Sequence, residues 1–288
     1  MAMSHKPFAF FGTPYVARDT LAHLVEQGYV PSVVVTSPDA PRGRGLTLTP
    51  SETKAWALEH ELPIVTPTKL DAAFLEEMRA YGCAYAIVVA YGKILPQELI
   101  GLFPDGVLNI HYSLLPKYRG ASPVEGALLN GETETGVAIQ RMVYELDAGD
   151  LLASEKTDIL PDETTRELRP RLVTLGAELL VATLPGFEAG TIALAPQDHA
   201  LATFTRKIRK EAGELSLNGD PVENWNKYRA YAESPGTYTF LEKDGRRLRT
   251  KIKTATFEDG MFVPLLVVPE GKNETAYSGL VSQGYLPA

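Results

Sequence analysis

Over roughly the first 130 residues, short apolar runs alternate with stretches in which apolar residues recur every three or four positions. The apolar runs predict strands over residues 6–12, 31–37, 64–67, 83–92 and 106–113. The intervening stretches predict helices over residues 13–28, 51–63 and 71–82. The run CAYAIVVAYG is apolar at nearly every position, as expected for a strand covered on both faces. This alternation predicts an α/β fold with an open, mostly parallel sheet.

The pattern changes after residue 130. Strands are predicted over residues 135–143 and 151–159, on either side of the turn-like YELDAGD, and a helix over 164–190 with an irregular first turn near Pro170. From about residue 205, the runs TYTFLEK, RRLRTKIKTATF, MFVPLLVVPE and AYSGLVSQGY predict a small all-β domain, a barrel or a sandwich, with a hairpin turn at EKDG. We therefore divide the chain into a main domain (1–189), a linker (190–204) and a C-terminal domain (205–288).

Composition and charge are those of a globular protein. Hydrophobic residues make up 44% and charged residues 22%, which is enough apolar material for a substantial core. The single cysteine, Cys83, excludes an intramolecular disulfide and a multi-cysteine zinc site. We see neither a signal-peptide pattern nor the ~18 consecutive apolar residues of a bilayer span, so we expect a soluble, cytoplasmic protein. The net charge of −8 is unevenly distributed: residues 1–200 carry −10 and residues 201–288 carry +2, which suggests an anionic partner or ordinary surface variation.

Sequence motifs for several common chemistries are missing. The chain contains no G-x-x-x-x-G-K-[ST] phosphate loop and no G-x-G-x-x-G turn after its first strand. It also contains no H-E-x-x-H and no G-x-S-x-G. Zinc hydrolases, α/β-hydrolases and dinucleotide-dependent oxidoreductases therefore lack support.

The stretch LNIHYSLLP places two polar side chains in an apolar strand. Because side chains alternate along a strand, Asn109 and His111 share one face, near the carboxyl end where open α/β sheets bind ligands. Asparagine can donate to a developing oxyanion, and histidine can move protons near neutral pH. A carboxylate usually orients such a histidine, and Asp147 is the first candidate and Asp150 the second. The alternative is a core histidine satisfied by a backbone group, with Asp147 an ordinary turn residue.

Five motifs occur in the order and with the spacing of one enzyme family. They are FFGTP, PDAPRGRGLTLTPSETK, VVAYGKILP, LNIHYSLLPKYRGASP and ETGVAIQRMVYELDAGD. Over most of its first 200 residues the chain resembles the methionyl-tRNA formyltransferases, within the wider group of 10-formyltetrahydrofolate-dependent transferases. N-x-H, SLLP and an aspartate about 36 residues later mark the wider group, whereas the GRG loop and the C-terminal part narrow the acceptor to initiator tRNA. The resemblance implies a Rossmann-like main domain and a smaller, OB-like C-terminal β-barrel.

The resemblance also implies a reaction and a set of roles. A formyl group would pass from 10-formyltetrahydrofolate, the co-substrate, to the α-amino group of methionyl-tRNA for translation initiation. Asn109 would stabilise the oxyanion, His111 would take or relay the amine's proton, and Asp147 would fix the imidazole tautomer. The folate site would comprise Ser113, Leu114, Leu115 and Pro116, with Tyr91, Gly92 and Leu95 nearby unless these three serve core packing. No metal is required, because the formyl donor is already activated.

Basic residues in three places are candidates for tRNA binding, each with a solvated surface as the alternative. They are Arg42 and Arg44 in PRGRG, the cluster of Arg206, Lys207, Arg209 and Lys210, and Arg247, Arg249 and Lys251, which would share one strand face with Lys253. Members of the family generally carry lysine just after GRG, where this chain has Leu46 and Thr47. This difference weakens the electrostatic case for tight tRNA binding, and the excess of positive charge over residues 201–288 is only +2, so we expect modest, strongly salt-dependent tRNA affinity. We also expect a monomer.

Two other functions stay open at this point. An amino-sugar N-formyltransferase would use the same folate donor but would need neither PRGRG nor a basic C-terminal part. A non-catalytic RNA-binding module would fold without transferring formyl groups.

Overall fold

The structure, a computed structural model, describes residues 5–43 and 45–288, apart from the side chain of Arg42. The strands, numbered in chain order, are β1 (Phe8–Gly12), β2 (Val33–Val35), β3 (Ala40–Arg42), β4 (Thr47–Thr49), β5 (Ile64–Val65), β6 (Tyr85–Val89), β7 (Gly106–His111), β8 (Arg119–Gly120), β9 (Glu134–Arg141), β10 (Leu151–Asp158), β11 (Phe204–Thr205), β12 (Thr237–Lys243), β13 (Arg246–Glu258), β14 (Met261–Pro269), β15 (Thr275–Ala276) and β16 (Leu286–Pro287). The helices are α1 (Tyr15–Glu26), α2 (Glu52–Glu59), α3 (Ala72–Ala80), α4 (Gln97–Ile100), α5 (Pro123–Leu129), α6 (Thr165–Glu188), α7 (Pro221–Ala230) and α8 (Tyr277–Ser282). Within the described part of the chain, no helix combines the length and apolar character that a membrane crossing demands.

Two compact units make up the described chain. The first comprises the chain up to Arg119 together with Gly136–Lys156 and Pro170–Phe204. The second comprises Gly120–Thr135, Thr157–Arg169 and Thr205–Ala288. Residues 120–135 and 157–169, which the sequence analysis assigned to the main domain, thus group with the C-terminal part. The functional division at residues 189 and 205 stays a prediction.

The central sheet has seven strands in the order β10-β9-β7-β6-β1-β2-β5. Strand β1 pairs in parallel with β2 and β6, β2 with β5, and β6 with β7, whereas β7 and β9 run antiparallel. The predicted α/β fold with a mostly parallel sheet is confirmed. All five strands predicted before residue 114 are present, and so are the three predicted helices, as α1, α2 and α3.

Apolar composition explains why β1, β6 and β7 occupy the middle of this sheet. Every residue of the three strands is buried. The rings of Phe8 and Tyr85 stack across the β1–β6 pair with centroids 5.2 Å apart, and burying one such side chain contributes roughly 1.5–3 kcal/mol. The carboxyl ends of these strands are therefore held by a close-packed core.

Local polar signals fix where the first helices begin and end. Ser51 accepts a hydrogen bond from the backbone nitrogen of Lys54 at 3.0 Å, and Asp71 accepts one from that of Phe74 at 3.2 Å. These are N-caps of α2 and α3. Helix α1 ends just before Gly28, whose φ of 87° is left-handed and favours glycine. Helix α6 runs through Pro170 and Pro185, so the irregular first turn expected near Pro170 does not interrupt it.

The second unit contains a five-stranded antiparallel sheet in the order β15-β14-β13-β12-β16. Strands β12 and β13 form the predicted hairpin, and Asp244 and Gly245 in its turn have φ of 51° and 71°. The expectation of an all-β domain is wrong, because α7 and α8 belong to this unit. Residues 277–282, predicted as part of a strand, form α8, and Leu280 packs into a core that includes Trp225 and Ile252.

The segment predicted as a linker, residues 190–204, belongs to the first unit. Ala195 exchanges two backbone hydrogen bonds with Leu151, at 2.8 and 2.9 Å. Gln197 is buried, with 6% of its surface exposed. Within the first unit, this stretch therefore pairs with the start of β10.

Candidate active site

The strand pleat and the sheet order place Asn109 and His111 side by side. Both lie on β7, and both are buried, with 8% and 5% of their surfaces exposed. In the ladder, Asn109 lies opposite Val88 of β6 and Gln140 of β9. His111 is the last residue of β7, at the carboxyl edge shared with β6.

Asp147 reaches the same place from the loop between β9 and β10. Its Oδ2 atom lies 3.7 Å from Nδ1 of His111, a distance at which a carboxylate stabilises a charged imidazole. Its Oδ1 atom accepts a hydrogen bond from Nε2 of Gln140 at 3.0 Å. The φ of Asp147 is 46°, a left-handed conformation that aspartate adopts at a cost. Of the two carboxylates predicted to orient the imidazole, it is Asp147 rather than Asp150 for which this approach is observed.

A backbone carbonyl holds the other nitrogen of the imidazole. Nε2 of His111 lies 2.9 Å from the carbonyl oxygen of Tyr118. A carbonyl can only accept, so Nε2 carries a proton and donates it, which leaves Nδ1 to face Asp147. The contact with the Tyr118 carbonyl therefore favours one tautomer of the imidazole, while the role of Asp147 in fixing that tautomer stays a prediction.

Gln140 is a site residue that the sequence analysis missed. Only 1% of its surface is exposed, and its Oε1 atom has no hydrogen-bond partner among the described residues. A buried acceptor without a partner is costly unless a ligand or water satisfies it. The available signal was a glutamine that follows directly on the apolar residues VAI in the strand run TGVAIQRMV.

The SLLP segment, residues 113–116, begins two positions after His111 in the chain. Ser113 is fully buried, and its hydroxyl donates to the carbonyl of Lys117 at 2.6 Å. Leu115 is 8% exposed, and Leu114 and Pro116 are half-buried. The segment is thus a compact, mostly apolar turn.

The second predicted folate group follows the neighbouring strand, β6. Tyr91 and Leu95 are buried in the core of the first unit, and the Tyr91 ring meets Phe11 edge-on. Burial raises the pKa of the Tyr91 phenol to about 12. These positions favour the packing alternative for both side chains. Gly92, by contrast, is exposed, with a φ of 81°.

The basic residues on β13 form a regular surface in the second unit. Arg247, Arg249 and Lys251 are exposed and lie opposite Glu242, Phe240 and Tyr238 of β12. The guanidinium carbon of Arg247 lies 4.4 Å from the Phe240 ring centre, and that of Arg249 lies 3.7 Å from the Tyr238 ring centre. Both distances are those of cation–π contacts. At Lys253 the ladder register shifts, so the regular alternation of the face ends at Lys251.

The remaining tRNA candidates lie outside regular sheet structure or at its ends. Arg206, Lys207, Arg209 and Lys210 are all exposed, in the segment after β11 and at the start of a short 3-10 turn. Arg42 ends strand β3, and Arg44 lies outside the described residues. Leu46 lies between the antiparallel strands β3 and β4 and is 71% exposed.

Comparison with known proteins assigns the chain to a family. Residues 6–184 match the family described as formyl transferase, and the chain belongs to this family. Over 241 residues, the chain is 42% identical to the methionyl-tRNA formyltransferase of Geobacter sulfurreducens. That match covers 83% of this chain and 75% of the relative.

Solved structures share the fold. A methionyl-tRNA formyltransferase from Clostridium thermocellum superposes with a TM-score of 0.59 at 14% identity, covering 92% of this chain and 99% of that one. An N-formyltransferase from Helicobacter canadensis, solved with folinic acid and dTDP-3-aminofucose, gives a TM-score of 0.63 at 18% identity. It covers 88% of this chain and 89% of its own. At these identities the likeness shows the fold alone.

Proposed function

We propose that this protein transfers the formyl group of 10-formyltetrahydrofolate to the α-amino group of methionyl-tRNA. The proposal depends above all on the meeting of His111 and Asp147, beside Asn109, at the carboxyl end of a central strand. Membership of the formyl transferase family supports the reaction, and 42% identity to a methionyl-tRNA formyltransferase supports the acceptor.

In the proposed mechanism, the neutral amine attacks the formyl carbon and a new C–N bond forms. The formyl oxygen becomes an oxyanion, which the side-chain amide of Asn109 stabilises by hydrogen bonding. Nδ1 of His111 takes the proton of the amine, and the carboxylate 3.7 Å away balances the charge on the ring. The bond from carbon to N10 of the folate then breaks, and N10 leaves with the proton returned by His111. The products are formylmethionyl-tRNA and tetrahydrofolate.

We assign the folate site to the turn after β7 and the end of β6. The apolar turn of Ser113, Leu114, Leu115 and Pro116 provides a surface for a flat ring next to His111. The exposed main chain at Gly92 provides the second contact, because β6 and β7 are parallel neighbours whose carboxyl ends lie together. Tyr91 and Leu95 support this edge from the core beneath it.

We assign tRNA binding to the exposed basic residues. Arg247, Arg249 and Lys251 form its most regular part, in a second unit whose sheet we propose to close as an OB-like barrel. The cluster of residues 206–210 and the PRGRG loop would add further phosphate contacts. The acceptor implies a cytoplasmic protein, and we propose that it acts as a monomer.

An amino-sugar acceptor is the alternative with the same chemistry. It is not favoured, because the likeness to a sugar N-formyltransferase rests on 18% identity, whereas the 42% identical relative is a methionyl-tRNA formyltransferase. A non-catalytic RNA-binding module is not favoured either, because the catalytic side chains are present and close together.

A transfer assay with two acceptors in parallel tests the proposal. The enzyme receives 10-formyltetrahydrofolate and either methionylated initiator tRNA or a nucleotide-linked amino sugar. We expect formylation of the tRNA, little or none of the sugar, and loss of activity in His111→Ala. Formylation of the sugar alone would contradict the assigned acceptor, and tRNA binding without any transfer would contradict the assigned chemistry.

Arg249→Gln tests the basic face on β13. Removing one phosphate contact is expected to weaken tRNA binding several-fold and to lower the slope of log affinity against log salt by about 1. Filter binding at four or five salt concentrations measures both quantities. Arg79→Gln, on α3 and exposed, is the matched control and should leave the slope unchanged. Equal slopes for all three proteins would show that Arg249 makes no phosphate contact.

A further inference from the structure

The buried side chain of Gln197 donates hydrogen bonds to the backbone of the loop that carries Asp147. Nε2 of Gln197 donates to the carbonyl oxygen of Asp147 at 2.9 Å and to that of Gly149 at 2.7 Å. The residue at position 149 has no room for a side chain, since a Cβ there would lie 1.8 Å from the carbonyl oxygen of Arg141. The loop of Asp147 therefore packs closely against Arg141 at the end of β9, and the Gln197 amide donates hydrogen bonds to two of its carbonyls.

A buried arginine holds that glutamine in turn. Oε1 of Gln197 accepts from Nη2 of Arg119 at 2.7 Å and from its Nε at 3.2 Å. Arg119 is 1% exposed, and Nη2 also lies 3.2 Å from Nδ1 of His199. Guanidinium groups only donate and carbonyls only accept, so just one orientation of the Gln197 amide satisfies both sides. The contacts from Arg119 through Gln197 to the loop of Asp147 are therefore compatible with only one orientation of the Gln197 amide.

This network acts on Asp147 at a different atom from Gln140. Gln140 holds the carboxylate itself, through Oδ1. Gln197 holds the main chain of a residue whose φ of 46° the rest of the loop must maintain. Both contacts are made to the residue whose Oδ2 atom lies 3.7 Å from Nδ1 of His111. A displacement of about 1 Å in a catalytic group can cost on the order of a hundredfold in rate.

We propose that Gln197, held by Arg119, is a positioning residue that sets the carboxylate of Asp147 against the imidazole of His111. The inference rests on the proposed function. It gives a catalytic purpose to the segment 190–204, which the sequence pattern marks only as a linker.

Gln197→Glu is the test variant, because it keeps the oxygen that accepts from Arg119 and removes the amide that donates to the loop. We expect kcat to fall about 10- to 100-fold, while KM for methionyl-tRNA and for the folate changes less than about threefold. Gln197→Met, which loses both sets of contacts, should fall at least as far. Gln27→Glu, at an exposed position after α1, should behave as the wild type.

A double-mutant cycle separates positioning from general support of the fold. If Gln197 acts through Asp147, then Gln197→Glu should cost less than about threefold in an Asp147→Asn background. Equal losses in the two backgrounds would overturn the proposal, and so would a wild-type kcat in Gln197→Glu. Failure of both Gln197 variants to fold, measured by thermal unfolding, would also overturn it, since the role would then be structural.

A measurement without catalysis keeps this inference separate from the proposed function. In protein labelled with ¹⁵N-histidine, the ring signals of His111 are identified by their absence in His111→Asn. We expect Gln197→Glu to shift them and Gln27→Glu to leave them in place. Unchanged signals in Gln197→Glu would refute the positioning role. An inactive wild type would refute the proposed function, and the NMR result would still decide this inference.

Discussion

His111→Asn is expected to lower kcat for formyl transfer by about 10³-fold, within the 10²- to 10⁴-fold that a positioned proton-transfer group contributes. Asparagine preserves a polar side chain of modest size but has no nitrogen that can take up a proton. The Asp147 carboxylate would then face no cation, and the amine would have to lose its proton to solvent. KM for methionyl-tRNA should stay within about threefold, because the ring is 5% exposed and offers little binding surface.

Steady-state kinetics with saturating 10-formyltetrahydrofolate measures this effect. His60→Asn is the matched control, because His60 lies exposed just after α2, where its ring stacks on that of Trp56 and its Nδ1 lies 2.8 Å from the Trp56 carbonyl oxygen. It should retain full activity. A kcat for His111→Asn within tenfold of the wild type would mean that the amine's proton leaves by another route.

Asn109→Ala is expected to lower kcat by about 10²- to 10³-fold, which corresponds to the ~2.7–4 kcal/mol lost when one oxyanion donor is removed. The loss should appear in kcat and kcat/KM equally, because the hydrogen bond strengthens only when the formyl oxygen becomes charged. Asn109→Asp, nearly the same shape but without a donor, should be at least as slow. Its carboxylate would repel the developing charge.

Single-turnover kinetics with preformed enzyme, folate and methionyl-tRNA isolates the chemical step in these variants. Asn273→Ala, in an exposed loop, supplies the control and should match the wild type. If Asn109→Ala instead raises KM for the folate while leaving the single-turnover rate intact, Asn109 binds the ground state and the oxyanion is stabilised elsewhere.

Strand periodicity was sufficient to predict half of this site. The run GVLNIHYS implies a strand, and alternation along it puts Asn109 and His111 on one face. The strand–helix alternation before residue 114 predicted the open, mostly parallel sheet, but it did not predict the order of the strands in that sheet. Asp147 was the first of two candidate carboxylates in the turn between two predicted strands, although turn chemistry alone makes LDAGD an ordinary loop.

The contacts that no local pattern encodes were not predictable. The contact of His111 with Tyr118 is made to a backbone carbonyl, so no residue type signals it in the sequence. The hydrogen bond from Gln197 to Asp147 joins residues that are 50 positions apart. Helices α7 and α8 of the second unit were missed for different reasons. Asp220 and Pro221 form a recognisable N-terminal signal for α7, an N-cap followed by proline at the first helical position. The strand-like runs after this segment nevertheless led to the prediction of an all-β domain. Helix α8 is only six residues long and alternates like a strand, so its packing through Leu280 decides its structure.

For the proposed contact with tRNA phosphates, the stacking of Arg247 on Phe240 and of Arg249 on Tyr238 makes lysine a poor substitute at either position. A flexible side chain that is fixed only on binding gives up roughly 0.5–1.5 kcal/mol of conformational entropy. Planar guanidinium groups already lying on aromatic rings have met much of that cost within the folded protein. A lysine at the same place would preserve the charge, but its flexible side chain would lose this conformational entropy only on binding. A count of positive charges alone would therefore give a wrong estimate of how tightly this surface binds phosphate.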